Sequence, residues 1–374
     1  MSTIGDNLQA AVDAAKNQLD SDAGSIAQLQ ALLDTANNVV AGDTVQLAAL
    51  QAQVADLTAQ LASIHKPVLA GLAIRDGNPP VGYANAFPVV HATVNWRDVE
   101  TAPGVYDFAP IEAALSAYPG RRVGIRLFCG QYAPAFYLDA DGRRVHIVDP
   151  FDGNAGDVPV WWTGAKLLAA YKALHAAIAA KYDNDLRLVE ISAALTTTIY
   201  AEPFMRQTGS ATTRANLLAA GYSKGADVAA LHAMIDAHTV YKRTRVGIAH
   251  NPFQWITSAG VAATDVATTT AMLDYERQQL GDLAVLQNNS LDQPSTNTAT
   301  ENTMYGAIQA HGGAIAFQTL APSRLTSALQ VRNMLDYAVS LGACSVEFSP
   351  AGWSQYISPA DAVSYNARLI ANAG

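Results

Sequence analysis

RVGIRLF (122–128) is a short run of strand-forming residues, the third of eight such runs in this 374-residue chain. Val, Ile and Phe favour strands, and runs of this length are typical of strands buried inside a sheet. The other seven are VLAGLAI (68–74), VVHATVNW (89–96), LRLVEIS (186–192), RVGIAH (245–250), LAVLQN (283–288), AIAFQT (314–319) and CSVEFS (344–349). Eight runs of this kind predict eight buried strands.

Helix-forming segments rich in Ala and Leu separate these runs, for example IEAALSAY (111–118) and TTTAMLDYERQQL (268–280). Eight strands, nearly all followed by a helix, predict an α/β protein with a (β/α)₈ barrel, or TIM barrel. A doubly wound open sheet is the alternative, but no glycine-rich phosphate-binding turn follows any of the strands. The sequence therefore favours a closed barrel, which we expect to span residues 67–374.

Residues 1–66 follow a different pattern, without proline or aromatic residues. Hydrophobic residues recur every seven positions: all a positions from Val12 to Leu61 are apolar, as are seven of nine d positions. Such a repeat predicts an α-helical coiled coil, because a single helix cannot bury this stripe alone. Asp22 and Asp43 occupy the polar d positions, which leaves a helical hairpin as an alternative. We expect a continuous rod that joins two or three chains, with a trimer favoured.

Charge and composition exclude several kinds of partner. The net charge is −9, and no cluster of Lys and Arg is large enough to grip nucleic acid. No apolar run reaches the roughly 18–20 residues that span a bilayer. The N-terminus lacks the layout of a secretion signal, so we expect folding in a cytoplasm. The eight histidines show no metal-binding spacing, and we expect neither a metal nor an organic cofactor.

Three long loops follow the third, fourth and sixth predicted strands, on the face where such barrels bind ligands. The first loop combines aromatic side chains with carboxylates. That combination suits sugars, whose apolar faces stack on aromatic rings while their hydroxyls bond to polar groups at the rim. The candidate substrate-binding residues are Trp96, Asp98, Tyr132, Asp149, Asp152, Trp161, Trp162, Phe253, Trp255, Asp292, Gln318 and Trp353.

Short motifs in this region resemble those of clan A glycoside hydrolases. VNWRDVETAPGVYDFAPIEAAL (94–115) is similar to their second-strand segment, and CGQYAPAFYL (129–138) to their third-strand loop. AEPF (201–204) is similar to the Asn-Glu-Pro that carries their acid/base glutamate at the end of the fourth strand. The resemblance covers roughly residues 68–355. It implies glycoside hydrolysis with Glu202 as the general acid/base.

Two positions depart from the family pattern. Ala201 stands where the family has an Asn that binds the sugar's 2-hydroxyl, and Gln318 takes the seventh-strand position of the nucleophilic Glu. An amide cannot attack an anomeric carbon. Glu347, on the eighth predicted strand, is the candidate substitute. A separation of about 5–5.5 Å from Glu202 would suit a retaining pair, and about 6.5–9.5 Å an inverting pair.

Glu347 also has a structural interpretation. It alternates with Val346 and Phe348, so we expect it to point into the barrel, where it could be the buried partner of Arg126. Arg126 and Glu190 lie on adjacent predicted strands and are expected to form an interior ion pair. An error of one strand in the count would instead place Glu347 at the family's nucleophile position.

A coiled-coil stalk that carries a glycosidase-like barrel resembles a phage tail fibre or minor tail protein. A stalk presents several barrels together, so that weak sugar sites act as one attachment. We therefore expect a receptor-binding protein of the virion tail, assembled with other tail proteins, that grips a host cell-surface glycan. One alternative is an active glycoside hydrolase, a depolymerase that uses Glu202. Another is an oligomeric carbohydrate-binding or scaffold protein unrelated to phages.

Overall fold

A computed structural model describes Asp6, Gln9 and residues 51–54, 65–138 and 144–373 of the chain. Contacts divide the chain into residues 1–67 and residues 68–374. The predicted coiled coil falls almost entirely outside the described residues, and it stays a prediction.

Eight parallel strands form a closed barrel, in which each strand pairs with the next and the last pairs with the first. The strands are β1 (Gly71–Arg75), β2 (Val89–Asn95), β3 (Arg122–Phe128), β4 (Leu188–Ser192), β5 (Arg245–Ala249), β6 (Ala284–Leu291), β7 (Ala314–Thr319) and β8 (Ser345–Phe348). Every predicted run overlaps one of them, so the (β/α)₈ barrel is confirmed and the open sheet is excluded. The strand count places Gln318 on β7 and Glu347 on β8.

Helices of eight or more residues follow every strand of the barrel except β1. They are α1 (Ala109–Ser116), α2 (Ala165–Tyr182), α3 (Ala211–Ala219), α4 (Lys224–Ala237), α5 (Val266–Leu280), α6 (Ala299–His311), α7 (Ala328–Ser340) and α8 (Pro359–Ala371). Serine side chains accept a backbone hydrogen bond at the start of α3, α4, α7 and α8, which fixes where these helices begin. In the described part of the chain, no helix is long and apolar enough to cross a membrane.

Hydrophobic side chains fill the space between the barrel and its helices. Leu127 of β3 and Leu174 of α2 are fully buried in this layer on one side, as are Val346 of β8 and Leu335 of α7 on the other. Alternate residues along each strand point the opposite way, into the barrel. Leu69, Ala73, Val89 and Val189 form a small apolar cluster of their own. The inward residues nearer the carboxyl ends of the strands are polar.

Three two-stranded hairpins follow barrel strands. They are Glu100–Ala102 with Val105–Tyr106, Arg144–Val148 with Ala155–Pro159, and Phe253–Ile256 with Ala262–Asp265. The second hairpin belongs to the long loop after β3. The loop ends in two tryptophans: Trp162 Nε1 donates to the Ala220 carbonyl at the end of α3 (3.1 Å), and Trp161 is anchored on α4. Trp161 Nε1 donates to Asp227 Oδ1 (2.8 Å), and the Tyr222 hydroxyl donates to Asp227 Oδ2 (2.7 Å). Burial raises the pKa of the Asp227 carboxyl to about 6.

We predict that Asp227→Asn changes how the stability of the protein depends on pH. Folded protein holds the Asp227 proton more tightly than the unfolded chain. The stabilising contribution of this proton is therefore complete below about pH 4 and is lost as the pH rises through about 6. Relative to the variant, the wild type should lose on the order of 3 kcal/mol of unfolding free energy between pH 3.5 and pH 7.

Urea unfolding at both pH values measures this difference. Asp98→Asn, which removes a carboxylate at an exposed position, is the matched control. Parallel pH profiles for the wild type and Asp227→Asn would contradict the prediction.

Candidate functional site

A polar network occupies the barrel interior around Glu347 of β8, a residue that is 1% exposed. Arg126 of β3 donates two hydrogen bonds to the Glu347 carboxylate, at 2.8 and 3.1 Å. His91 Nδ1 of β2 lies 2.5 Å from Glu347 Oε2. Arg126 also donates to Gln318 Oε1 (2.8 Å). The interpretation of Glu347 as the buried partner of Arg126 is confirmed. We call Arg126, His91, Glu347 and Gln318 the lumen network.

The lumen network determines the charge of Glu347. Burial alone would raise the pKa of this carboxyl, but the guanidinium of Arg126, then His91 and Arg75, lower it to about 2. Arg75 Nε of β1 lies 4.0 Å from Glu347 Oε1, and its side chain is 30% exposed. Glu347 is therefore an ionised carboxylate at neutral pH.

The predicted ion pair between Arg126 and Glu190 is corrected by the structure. Arg126 reaches across the barrel to Glu347 and Gln318, whereas Glu190 accepts a hydrogen bond from Gln287 Nε2 of β6 (2.6 Å). Burial raises the pKa of the Glu190 carboxyl. The reason for the difference is that inward side chains of a closed barrel can bond across the lumen, not only to the neighbouring strand.

Two glycines make room for these side chains. A Cβ on Gly124 of β3 would lie 2.6 Å from His91 Cδ2, and a Cβ on Gly247 of β5 would lie 2.6 Å from Glu190 Oε1. Both separations are shorter than the contact distance of such atoms. The glycines on the inner wall are therefore part of what allows this barrel to hold a polar interior.

The loop that carries Glu202 begins where β4 ends, at Ser192. Gly130 of the loop after β3 packs directly against it: a Cβ there would lie 2.4 Å from the Thr197 carbonyl oxygen and 2.2 Å from that of Thr198. The Gln131 backbone N–H donates to the same Thr198 oxygen (3.2 Å). Glu202 therefore lies in a closely packed loop beyond the strand end, not at the strand end itself as the resemblance implied.

Glu202 is 6% exposed and forms an ion pair with Arg206, whose guanidinium donates to Glu202 Oε1 at 2.7 Å. A second nitrogen of Arg206 lies 3.5 Å from Ser290 Oγ of β6. The two candidate carboxylates thus have different partners: Arg206 binds Glu202, while Arg126 and His91 bind Glu347. Each of them is already engaged by an arginine.

Five of the aromatic candidates lie in the hydrophobic core. They are Trp96, Trp161, Trp162, Phe253 and Trp353, with between 0% and 6% of their surface exposed. The indole N–H groups of the four tryptophans donate within the protein, as Trp96 Nε1 does to Glu100 Oε2 (2.6 Å) and Trp353 Nε1 to the Ser349 carbonyl (2.8 Å). A ring with no exposed face cannot stack on a sugar. The structure therefore assigns these five side chains to packing, because large rings contribute the most buried area.

Tyr132 and Trp255 keep part of their surface open. Tyr132 stacks on Phe128, with ring centroids 5.7 Å apart, and the Arg97 guanidinium lies 5.0 Å from the Tyr132 ring. The Lys224 ammonium lies 5.2 Å from the Trp255 ring. Phe128, half-buried at the end of β3, is an accessible aromatic that the sequence reasoning missed.

The four candidate aspartates organise their own loops. Asp98 and Asp152 are exposed, whereas Asp149 and Asp292 are buried. Asp98 accepts a hydrogen bond from Asn95, and Asp152 accepts from Asn154 and Tyr200. Asp149 accepts from the Phe151 backbone, and Asp292 accepts from Gln293 and Gln330. Of the predicted binding residues, Gln318 is the one that the structure places beside Glu347, as its register partner on β7.

His91 and Arg75 are site residues that sequence reasoning missed. Neither belongs to a motif. One signal could have identified His91: along β2, the polar residues His91, Thr93 and Asn95 alternate with apolar ones, which places them on the inner wall. Among the described residues, no group of three or more His, Cys, Asp or Glu could hold a metal ion.

The sequence matches no family model and no curated protein. Among solved structures, the endo-β-1,4-glucanase Xac0030 from Xanthomonas axonopodis pv. citri aligns with 80% of this chain and 100% of its own, at 11% identity and a TM-score of 0.46. An endo-β-1,4-mannanase from Thermotoga petrophila aligns with 75% of this chain and 67% of its own, at 10% identity and a TM-score of 0.46.

An old yellow enzyme homologue from Zymomonas mobilis is also similar, over 77% of this chain and 84% of its own, at 15% identity and a TM-score of 0.40. These are likenesses of fold alone. Evidence for the function of the barrel therefore comes from its own residues.

We predict that Glu347→Gln destabilises the protein, because it leaves the Arg126 charge buried without its carboxylate. The expected loss is about 3–5 kcal/mol of unfolding free energy at pH 7, measured by urea denaturation. The double variant Arg126→Gln with Glu347→Gln should be more stable than Glu347→Gln alone, because it removes both charges.

Wild-type stability should also fall as the pH drops from about 4.5 towards 2, since protonation of Glu347 ends its ion pair. An unchanged midpoint for Glu347→Gln would contradict this account.

Proposed function

We propose that the barrel is a glycoside hydrolase that acts on a polysaccharide at the carboxyl ends of its strands. The observation that carries the proposal is Glu347, a carboxylate that Arg126 and His91 keep ionised. Gln318 and Arg75 beside it are partly exposed. Glycoside hydrolysis needs an ionised carboxylate on one side of the scissile bond and a proton donor on the other.

In this proposal Glu347 and Glu202 have separate roles. A Glu347 oxygen attacks the anomeric carbon as the bond to the leaving sugar breaks, and the leaving oxygen takes the proton of Glu202. Water, deprotonated by Glu202, then cleaves the glycosyl ester and regenerates the Glu347 carboxylate. The scheme requires that Arg206, whose side chain is 32% exposed, release Glu202 when the glycan binds.

The second candidate function is glycan binding without turnover, as in a phage tail receptor-binding protein. The observation that favours it is that both carboxylates are paired with arginines, while the β7 position holds Gln318. In that case the N-terminal segment would join two or three barrels, with a trimer favoured, and other tail proteins would hold the assembly in the virion. The ligand would be a host cell-surface glycan.

We predict that Glu202→Gln separates the two candidates. With a proton donor removed, release of new reducing ends should fall by about 100-fold or more, while glycan binding remains. The panel consists of bacterial cell-wall polysaccharide, β-1,4-glucan and β-1,4-mannan, and circular dichroism checks that the variant folds. Glu301→Gln, at the start of α6, is the control and should retain full activity.

Binding of a panel glycan without release of reducing ends by the wild type would rule out the hydrolase and favour the receptor function. A wild type that neither binds nor cleaves any of the three glycans would contradict both candidates for these substrates.

We predict that deletion of residues 1–64 leaves a folded, monomeric barrel, because the heptad repeat supplies the association. Sedimentation of the full-length and truncated proteins measures this. A truncated protein that still sediments as a dimer or trimer would show that the barrels themselves hold the chains together.

A further inference from the structure

Phe151 is 94% exposed at the tip of the hairpin that follows β3. The tip is a closed turn: the Asp149 N–H donates to the Asn154 carbonyl (2.7 Å), and the Gly153 N–H donates to the Asp149 carbonyl (3.2 Å). Asp149 is buried, and its Oδ1 accepts from the Phe151 N–H (2.8 Å). The hairpin thus presents an aromatic ring to solvent from a hydrogen-bonded turn.

Polar groups lie beside the turn on the same tip. The Tyr200 hydroxyl donates to Asp152 Oδ2 (2.8 Å), and Asn154 Nδ2 lies within hydrogen-bond distance of both Asp152 Oδ2 (2.8 Å) and the Tyr200 oxygen (3.3 Å). Asp152 and Asn154 are exposed, so their carboxylate and amide can exchange water for ligand hydroxyls. We call Phe151, Asp152, Asn154 and Tyr200 the tip platform.

The tip platform is continuous with the loop that carries Glu202. Tyr200 belongs to that loop, two residues before Glu202. The hairpin also packs against this loop close to its tip: a Cβ on Gly156 would lie 2.9 Å from Ile199 Cγ2. A ligand bound on the platform would therefore contact the loop that carries the candidate acid.

We propose that the tip platform is an outer sugar-binding subsite, which holds a neutral sugar unit of the same polysaccharide chain that reaches Glu202. This inference rests on the proposed function and adds a position for a more distant unit of the chain. An open aromatic face next to a carboxylate, an amide and a phenol matches a sugar ring, with its apolar face and its rim of hydroxyls. The turn DPFDGN (149–154) contains two acids and no base, which disfavours an anionic glycan or a lipid headgroup.

Phe151→Ala tests the subsite. The probes are disaccharides and hexasaccharides prepared from whichever panel polysaccharide the wild type binds. Calorimetry measures their Kd with Glu202→Gln present in every protein compared, so that the probes are not cleaved. The variant should bind the hexasaccharide about tenfold more weakly, because the stacking face is lost, and the disaccharide as tightly as the wild type does. Phe151→Tyr, which keeps the ring, should bind both like the wild type. Val261→Ala removes an exposed apolar side chain from another hairpin loop and is the matched control.

Equal hexasaccharide affinity for the wild type and Phe151→Ala would overturn the subsite while leaving the proposed function intact. Equal weakening of the disaccharide and the hexasaccharide would overturn its outer position. A wild type that binds no panel glycan would instead contradict the proposed function, and the subsite with it.

Discussion

The ion pair between Glu347 and Arg126 is the interaction on which the interior of this barrel depends. The carboxylate of a residue that is only 1% exposed can stay ionised only if the protein replaces the hydrogen bonds of water. Two N–H groups of Arg126 and one ring nitrogen of His91 replace those hydrogen bonds at Glu347. Arg126 also donates to the Gln318 side-chain oxygen. Strands β2, β3, β7 and β8 are thereby joined through their side chains as well as through the sheet.

The two carboxylates of the lumen have contrasting environments. The guanidinium of Arg126 lowers the pKa of the Glu347 carboxyl, whereas burial raises the pKa of the Glu190 carboxyl, although Gln287 donates to it and His91 Nε2 lies 3.9 Å away. Two acids that differ in this way within one cavity are a common feature of sites that move protons, although buried structural pairs show it as well. Access to solvent distinguishes the two carboxylates. Gln318 and Arg75 connect Glu347 to the solvent side, whereas the buried Gln287 lies beside Glu190.

The barrel was predictable from sequence because its strands are apolar and β-rich, and periodicity of that kind needs no knowledge of distant contacts. The alternation of Val346, Glu347 and Phe348 also predicted which way Glu347 points. The sequence offered two partners for Arg126, Glu347 and Glu190, and alternation along the strands does not choose between them, because inward side chains can bond either across the lumen or to the next strand. The tryptophans were wrongly predicted to bind sugar, because large aromatic residues serve both as sugar-stacking platforms and as core residues. Solvent exposure, which the sequence does not give, separates the buried Trp161 from the partly exposed Tyr132.

Gly130 allows the loops after β3 and β4 to pack directly against each other, so that the position of one depends on the other. Its missing side chain lets the backbone of one loop touch the carbonyl oxygens of Thr197 and Thr198 in the other. Any side chain at this position would push the two loops apart and carry Glu202 away from the barrel. The position of Glu202 thus depends on a residue in a different loop. A substitution in the aromatic segment around Tyr132 that shifts Gly130 would therefore also shift Glu202.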